Sequence, residues 1–137
     1  MKLIESVFNK ETGESYVTLQ DRKRLYKGKA KLHPNDNDIV SRFFGCHLAE
    51  ARAWIEYYKH RIYENKIRLA ELNSLKKDFI YCFNKEEMQP FLKRIEIKEK
   101  YYIELNKELQ ENIEDIKMVI KKNIKAADKL KNKKRPV

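Results

Sequence analysis

The apolar positions of this chain follow two different periods. From Phe44 they step by four and three: Phe44, Leu48, Ala51, Ile55, Tyr58, Ile62, then Asn65, Leu69 and Leu72. A second series runs Ile95, Tyr102, Leu105, Leu109, Ile113, Ile116, Ile120, Ile124 and Ala127. Such spacing holds one stripe of side chains on one helix face and predicts a coiled-coil-like pair. Nearer the N-terminus the period shortens to two. In Ser15–Gln20, Val17 and Leu19 alternate with polar neighbours. In Leu25–Leu32, Leu25, Lys27, Lys29 and Lys31 alternate with Tyr26, Gly28, Ala30 and Leu32. That pattern predicts strands with one basic face and one small, apolar face able to pack on a helix. Leu3–Phe8 is a further candidate strand.

Breaker residues mark the joints. Gly13, in Lys10–Glu14, can supply a positive φ for a turn, and Asp21–Lys23 offers another. His33-Pro34 with Asn35–Asp38 behind it is the strongest punctuation; Pro34 disfavours helix at His33, and Asp36 or Asp38 can cap the next helix. Asn84, with Glu86 and Glu87 behind it, can start the second helix. Pro90 is either tolerated near that start or marks a second break. The expected fold is α+β: an N-terminal antiparallel β-meander of two or three strands packed on a long antiparallel two-helix coiled-coil hairpin. All 137 residues form one domain, with the meander over 1–35, one helix over 38–82, a second over 85–131 and a basic flexible tail over 132–137.

The expected helix-packing residues are Phe44, Gly45, Leu48, Ala49, Ile55, Ile62, Leu69, Leu109, Ile113, Ile116 and Ile120. Gly45, Ala49 and Ala53 lie four apart, a stripe that admits close approach of another backbone; a tolerated glycine with a local kink is the alternative for Gly45. Asn65 either sits inside the seam and fixes register, or lies at its edge. Trp54, Tyr57, Tyr63, Ile67, Tyr101 and Met118 fall off the stripes. They are left for the underside of the sheet, or for a dimer or partner surface.

Charge changes the picture from scaffold to binder. The net charge is +10, from 31 Lys and Arg against 21 Asp and Glu, and it is unevenly placed. Residues 21–31 carry six basic and one acidic residue, and residues 117–137 carry nine basic residues against Asp128, so the rest of the chain sums to −3. Blocks of this kind point to a local partner surface. The candidate binding residues are Arg22, Lys23, Arg24, Tyr26, Lys27, Lys29 and Lys31 in the hairpin, and Lys121, Lys122, Lys125 and Lys129 in the second helix. Basic side chains on a β-ribbon can follow phosphates, and an adjacent ring can stack on a base. The same block can dock on an acidic protein surface, or simply guard an edge strand.

Candidate chemistry is sparse. The histidines are His33, His47 and His60. Cys46 and His47 are adjacent and point to different sides of a helix. The sequence has no zinc-type quartet, phosphate loop or nucleophile elbow. The expectation is a non-enzyme with no cofactor and no metal, its two cysteines Cys46 and Cys82 reduced. No apolar run approaches the roughly 20 residues that span a bilayer, and Glu5 interrupts what a signal peptide needs. A cytoplasmic protein is expected.

Gly28-Lys-Ala-Lys-Leu-His-Pro-Asn-Asp36, followed by Gly45-Cys-His-Leu-Ala-Glu-Ala-Arg-Ala53, resembles a pattern of small phage and prophage proteins of low-GC Gram-positive bacteria. The pattern joins a hairpin, a His-Pro-Asp-like turn and a Gly-x-x-Leu-Ala-Glu-Ala-Arg-Ala-like helix, and covers about residues 15–60. It implies no activity of its own. It favours a stoichiometric modulator of host machinery, such as an anti-defence (anti-CRISPR-like) inhibitor in the host cytoplasm. Three functional expectations stand together. One is occlusion of a host protein or nucleoprotein, another is direct nucleic-acid binding, and the third is a structural coiled-coil adaptor. A homodimer through the helices is compatible with each.

Overall fold

A computed structural model describes residues 1–9, 11–31 and 39–132. The elements in chain order are β1 (Lys2–Asn9), β2 (Glu14–Asp21), β3 (Arg24–Lys31), α1 (Ile39–Cys82) and α2 (Lys85–Asn132). The α+β expectation holds: a three-stranded antiparallel sheet in the order β1-β2-β3 precedes two long helices that pack on each other. The His33-Pro34 joint, its Asp36 and Asp38 caps, Leu32 and the tail from 133 lie outside the described residues.

The chain divides into two compact units. The first holds Met1–Tyr57 and Ile113–Val137; the second holds Tyr58–Asn112. In the first, Gly13 takes the expected positive φ of 72° and its N–H donates to the Asn9 carbonyl at 2.8 Å. Cross-strand pairing sets Ser15 opposite Ala30, Val17 opposite Gly28 and Leu19 opposite Tyr26. These six turn toward the helix. Val17, Leu19, Tyr26 and Ala30 form one buried cluster with Ala49 and Ala53 of α1, and Leu48, Trp54 and Tyr57 pack around it.

Ala49 and Ala53 of the small-residue stripe admit a close approach, while Gly45 lines a cavity. A Cβ placed on Gly28 would lie 1.7 Å from the Ala49 carbonyl oxygen and 2.7 Å from the Ala53 nitrogen. Strand backbone therefore rests directly on helix backbone, which only glycine above and alanine below allow. Arg52, on the same helix, donates from a guanidinium nitrogen to the Lys29 carbonyl at 2.7 Å. Gly45 is buried and lies within α1, one residue beyond Phe44.

In the second unit the helices pack along the expected seam. Asn65 is buried, and its side-chain amide donates to the Asn106 side-chain oxygen at 2.8 Å, which settles the inside position. Arg68 donates to the Tyr102 hydroxyl at 3.3 Å with its guanidinium over that ring. Phe79 stacks on Phe91 with centroids 5.9 Å apart. Phe83 and Asn84 join the helices, and the Asn84 carbonyl accepts from the Met88 N–H at 3.2 Å. Pro90 is inside α2 and does not end it.

One inward position is corrected. Ile124 is 47% exposed, while Asn123 is half-buried and Ala127 buried. A strict heptad from Leu109 through Ile113, Ile116 and Ile120 reaches Asn123 and not Ile124, so the seam follows geometry over polarity. Of the surplus apolar residues, Trp54 and Tyr57 pack beneath the sheet, whereas Tyr63, Ile67, Tyr101 and Met118 are exposed. No helix among the described residues is long and apolar enough to cross a membrane.

Candidate functional site

The face of the sheet turned away from α1 carries the expected basic row. Lys27 stands opposite Thr18, Lys29 opposite Tyr16 and Lys31 opposite Glu14. On the other side of β2, Glu5 stands opposite Thr18 and Val7 opposite Tyr16. β1 loses register between Leu3 and Glu5. This irregularity brings Ile4 beside Glu5 along the same concavity.

Arg22 and Lys23 connect β2 to β3, with Asp21 opposite Arg24. Arg22 has a φ of 58°, the left-handed conformation that two-residue hairpin turns demand at their first position and that glycine or asparagine usually fills. An arginine there costs about 1 kcal/mol or more of backbone energy. The turn thus presents a guanidinium at a cost in backbone energy.

Tyr26, named among the binding residues although its parity puts it on the apolar face, is corrected to the core. It is 7% exposed and meets the Tyr57 ring edge-on at 5.2 Å. Alternation dictates this: Tyr26 shares its face with Gly28 and Ala30, the residues that contact the helix. The ring on the solvent face is Tyr16. Its hydroxyl donates to Glu14, whose carboxylate also holds the Lys29 ammonium at 3.2 Å, and that ammonium lies 5.6 Å from the Tyr16 ring centroid. The hydrogen bond from Tyr16, and then Lys29, hold the Glu14 carboxyl below its ordinary pKa. The Glu14 hydrogen bond in turn raises both Tyr16 and Lys29. Lys29 is therefore committed within the protein. Arg22, Lys23, Arg24, Lys27 and Lys31 form no ion pair with any described residue.

Between Lys27 and β1 lies a shallow open depression of about 370 Å³, lined by Ile4, Glu5, Val7, Tyr16, Thr18, Leu25 and Lys27. Thr18 is buried at its floor, while Ile4 and Leu25 are each 49% exposed and Val7 41%. Sequence reading placed Leu25 on the lysine face but missed Ile4, Val7, Glu14 and Tyr16. Their signal is weak because it needs the β1–β2 register, which hairpin length and a bulge set.

Lys121, Lys122, Lys125 and Lys129 are all exposed on α2. At 3.6 residues per turn they fall within an arc of about 100°, opposite the seam. They form a second basic surface. A smaller cavity of about 150 Å³ opens among the Lys31 end of β3, α1 and α2, lined chiefly by Ala30, Phe44, Gly45, Leu48, Ala51, Ile120, Ile124 and Ala127, with His47 and Asp128 among its other lining residues. Among the described residues no group of three or more His, Cys, Asp or Glu could hold a metal ion. What the sheet face offers is cationic charge, a hydroxyl floor and aliphatic surface, the ingredients of recognition. No protein-family model, curated protein or solved structure matches this chain.

Proposed function

We propose that this chain is a non-enzymatic binding protein that occludes a functional surface of a host protein or nucleoprotein, as a phage-type inhibitor of host defence does. One observation carries the reading: five of the six hairpin cations, Arg22, Lys23, Arg24, Lys27 and Lys31, have no ion pair with a described residue, and Arg22 is held in a strained turn. Exposed cationic charge along the β2–β3 hairpin steers encounter with an oppositely charged surface and fixes its register. The resemblance to small phage and prophage proteins supports the same reading by analogy.

Direct nucleic-acid binding is the second reading, favoured by the lysine arc on α2. It predicts affinity that falls steeply with salt. Binding of random-sequence DNA and RNA at low and high salt separates the two. For the first reading, the wild-type chain and an R22E/R24E/K27E variant are immobilised and offered the same bacterial lysate. A host protein retained in stoichiometric amount by the wild type, and lost from the variant, supports occlusion through the hairpin. Equal retention by both proteins sinks it.

A further inference from the structure

We infer that the solvent face of the sheet seats an extended acidic protein segment, one apolar side chain of which enters the depression over Thr18 while its carboxylates meet Lys27 and the Arg22–Arg24 turn. The inference rests on the binding reading above and names the chemistry of the partner. The lining supplies the first argument. Ile4, Val7 and Leu25 are large aliphatic side chains, each between two-fifths and half exposed, around a buried threonine. A nucleic acid matches it less well: Lys27 can meet a phosphate, but a base finds aliphatic side chains where it would need a ring to stack on. Among the described residues the one ring on this face, Tyr16, is tied to Glu14 with the Lys29 ammonium close by, and Tyr26 is in the core. An apolar side chain of leucine or phenylalanine size fits the open volume of about 370 Å³ and covers the aliphatic rim.

Charge supplies the second argument. Lys27 borders the depression, and the turn that carries Arg22 and Lys23 begins three residues along the strand from it, beyond Arg24. Three residues of extended chain span about 10 Å. A segment lying along β3 thus meets the turn with a carboxylate about three residues from its apolar anchor. The depression is also flanked by Glu5, which turns the acidic half of such a segment toward β3 and away from β1.

The test uses the full chain and fluorescence anisotropy with labelled synthetic peptides. One set carries a central leucine or phenylalanine with aspartates three residues away. Control sets replace the anchor by alanine or the aspartates by asparagine, and polythymidylate serves as the nucleic-acid probe. The variants are V7S and L25S, both at exposed positions and checked for folding by thermal melting, and K27E. The anchored acidic peptide is expected to bind, and V7S or L25S to weaken it by about tenfold or more. K27E should also weaken its binding and flatten its salt dependence. Binding by V7S and L25S within about twofold of wild type overturns the inference, because a used hot spot is worth far more. So does failure of every acidic peptide, or tighter binding of polythymidylate than of any peptide. Should K27E lose binding while L25S keeps it, the apolar seat fails and the basic-hairpin reading stands. Should neither change matter, both fail.

Discussion

Replacing Gly28 with alanine is the sharpest test of how the sheet is mounted on α1. The added Cβ would stand 1.7 Å from the Ala49 carbonyl oxygen, and carbon rarely approaches oxygen closer than about 3.3 Å. The strand must therefore retreat by roughly 1.6 Å, and both colliding groups are backbone, so no rotamer change relieves the clash. A gap of even 0.5–1 Å forfeits about a quarter to a half of each dispersion well. Val17, Leu19 and Ala30 lose contact with Ala49 and Ala53 together. Overpacking commonly costs about 1–3 kcal/mol, and this collision belongs at or beyond the upper end. Relief of chain entropy by Gly→Ala returns only about 0.4–1 kcal/mol. The net expectation is a loss of about 3 kcal/mol. Trp54, the single tryptophan, flanks the affected core and reports urea unfolding by fluorescence. Trimming the helix with Ala49→Gly should not rescue the variant, because the obstacle is the carbonyl; helix propensity instead costs about 1 kcal/mol more. An unchanged urea midpoint in G28A, or rescue by A49G, would refute backbone-on-backbone mounting.

Other outcomes rest on the same geometry. Arg22→Gly should leave the unfolding midpoint unchanged or raise it by a few tenths of a kcal/mol, because relief of the left-handed φ, worth about 1 kcal/mol or more, is offset by about 0.4–1 kcal/mol of unfolded-chain entropy, while loss of the cation weakens partner binding. Arg52→Ala should cost about 1 kcal/mol through the lost bond to the Lys29 carbonyl, read by the same urea titration. Glu14 has a depressed pKa in the fold, so its stabilising contribution is present above the ordinary carboxylate value and fades as pH falls through the lower folded value. Tyr16 and Lys29 are raised, so theirs is present at neutral pH and fades as pH climbs through the raised values. A carboxyl NMR titration should show Glu14 moving up in both Y16F and K29M, since each removes a group that holds the carboxylate charged. A Glu14 that titrates as in the wild type in both variants would overturn the assignment.

The helices and β3 were legible in the sequence because their information is local and periodic. Asn65, Leu109 and Ile113 repeat at helical spacing, and β3 alternates lysine with small residues over its whole length. The stripe Gly45–Ala49–Ala53 announced a close backbone approach; that the approaching residue would be Gly28 required the β3 register. What stayed hidden depended on relations between strands. Ile4 and Val7 read as ordinary apolar strand residues until pairing with β2 turned them outward beside Thr18 and Leu25. Tyr26 drew attention by its lysine neighbours, although its own parity already placed it with Gly28 and Ala30. Lys29 looked as available as Lys27, and only the Glu14–Tyr16 pairing across β2 shows that it is occupied. Ile124 followed the apolar pattern, whereas the heptad put Asn123 inward.

The Asn65–Asn106 bond bears on how faithfully two such helices find one alignment. Leucine and isoleucine seams repeat every seven residues and tolerate slippage by one heptad. Such a slip would set Asn65 against Ile113 and Asn106 against Leu72, leaving one buried and one half-buried amide without partners. At about 1–3 kcal/mol each, the misaligned state falls by roughly thirtyfold to ten-thousandfold in population. Within one chain the two-residue turn at Phe83-Asn84 already enforces the alignment. Between two chains it does not, and there the asparagine pair alone would act as the proofreader of assembly.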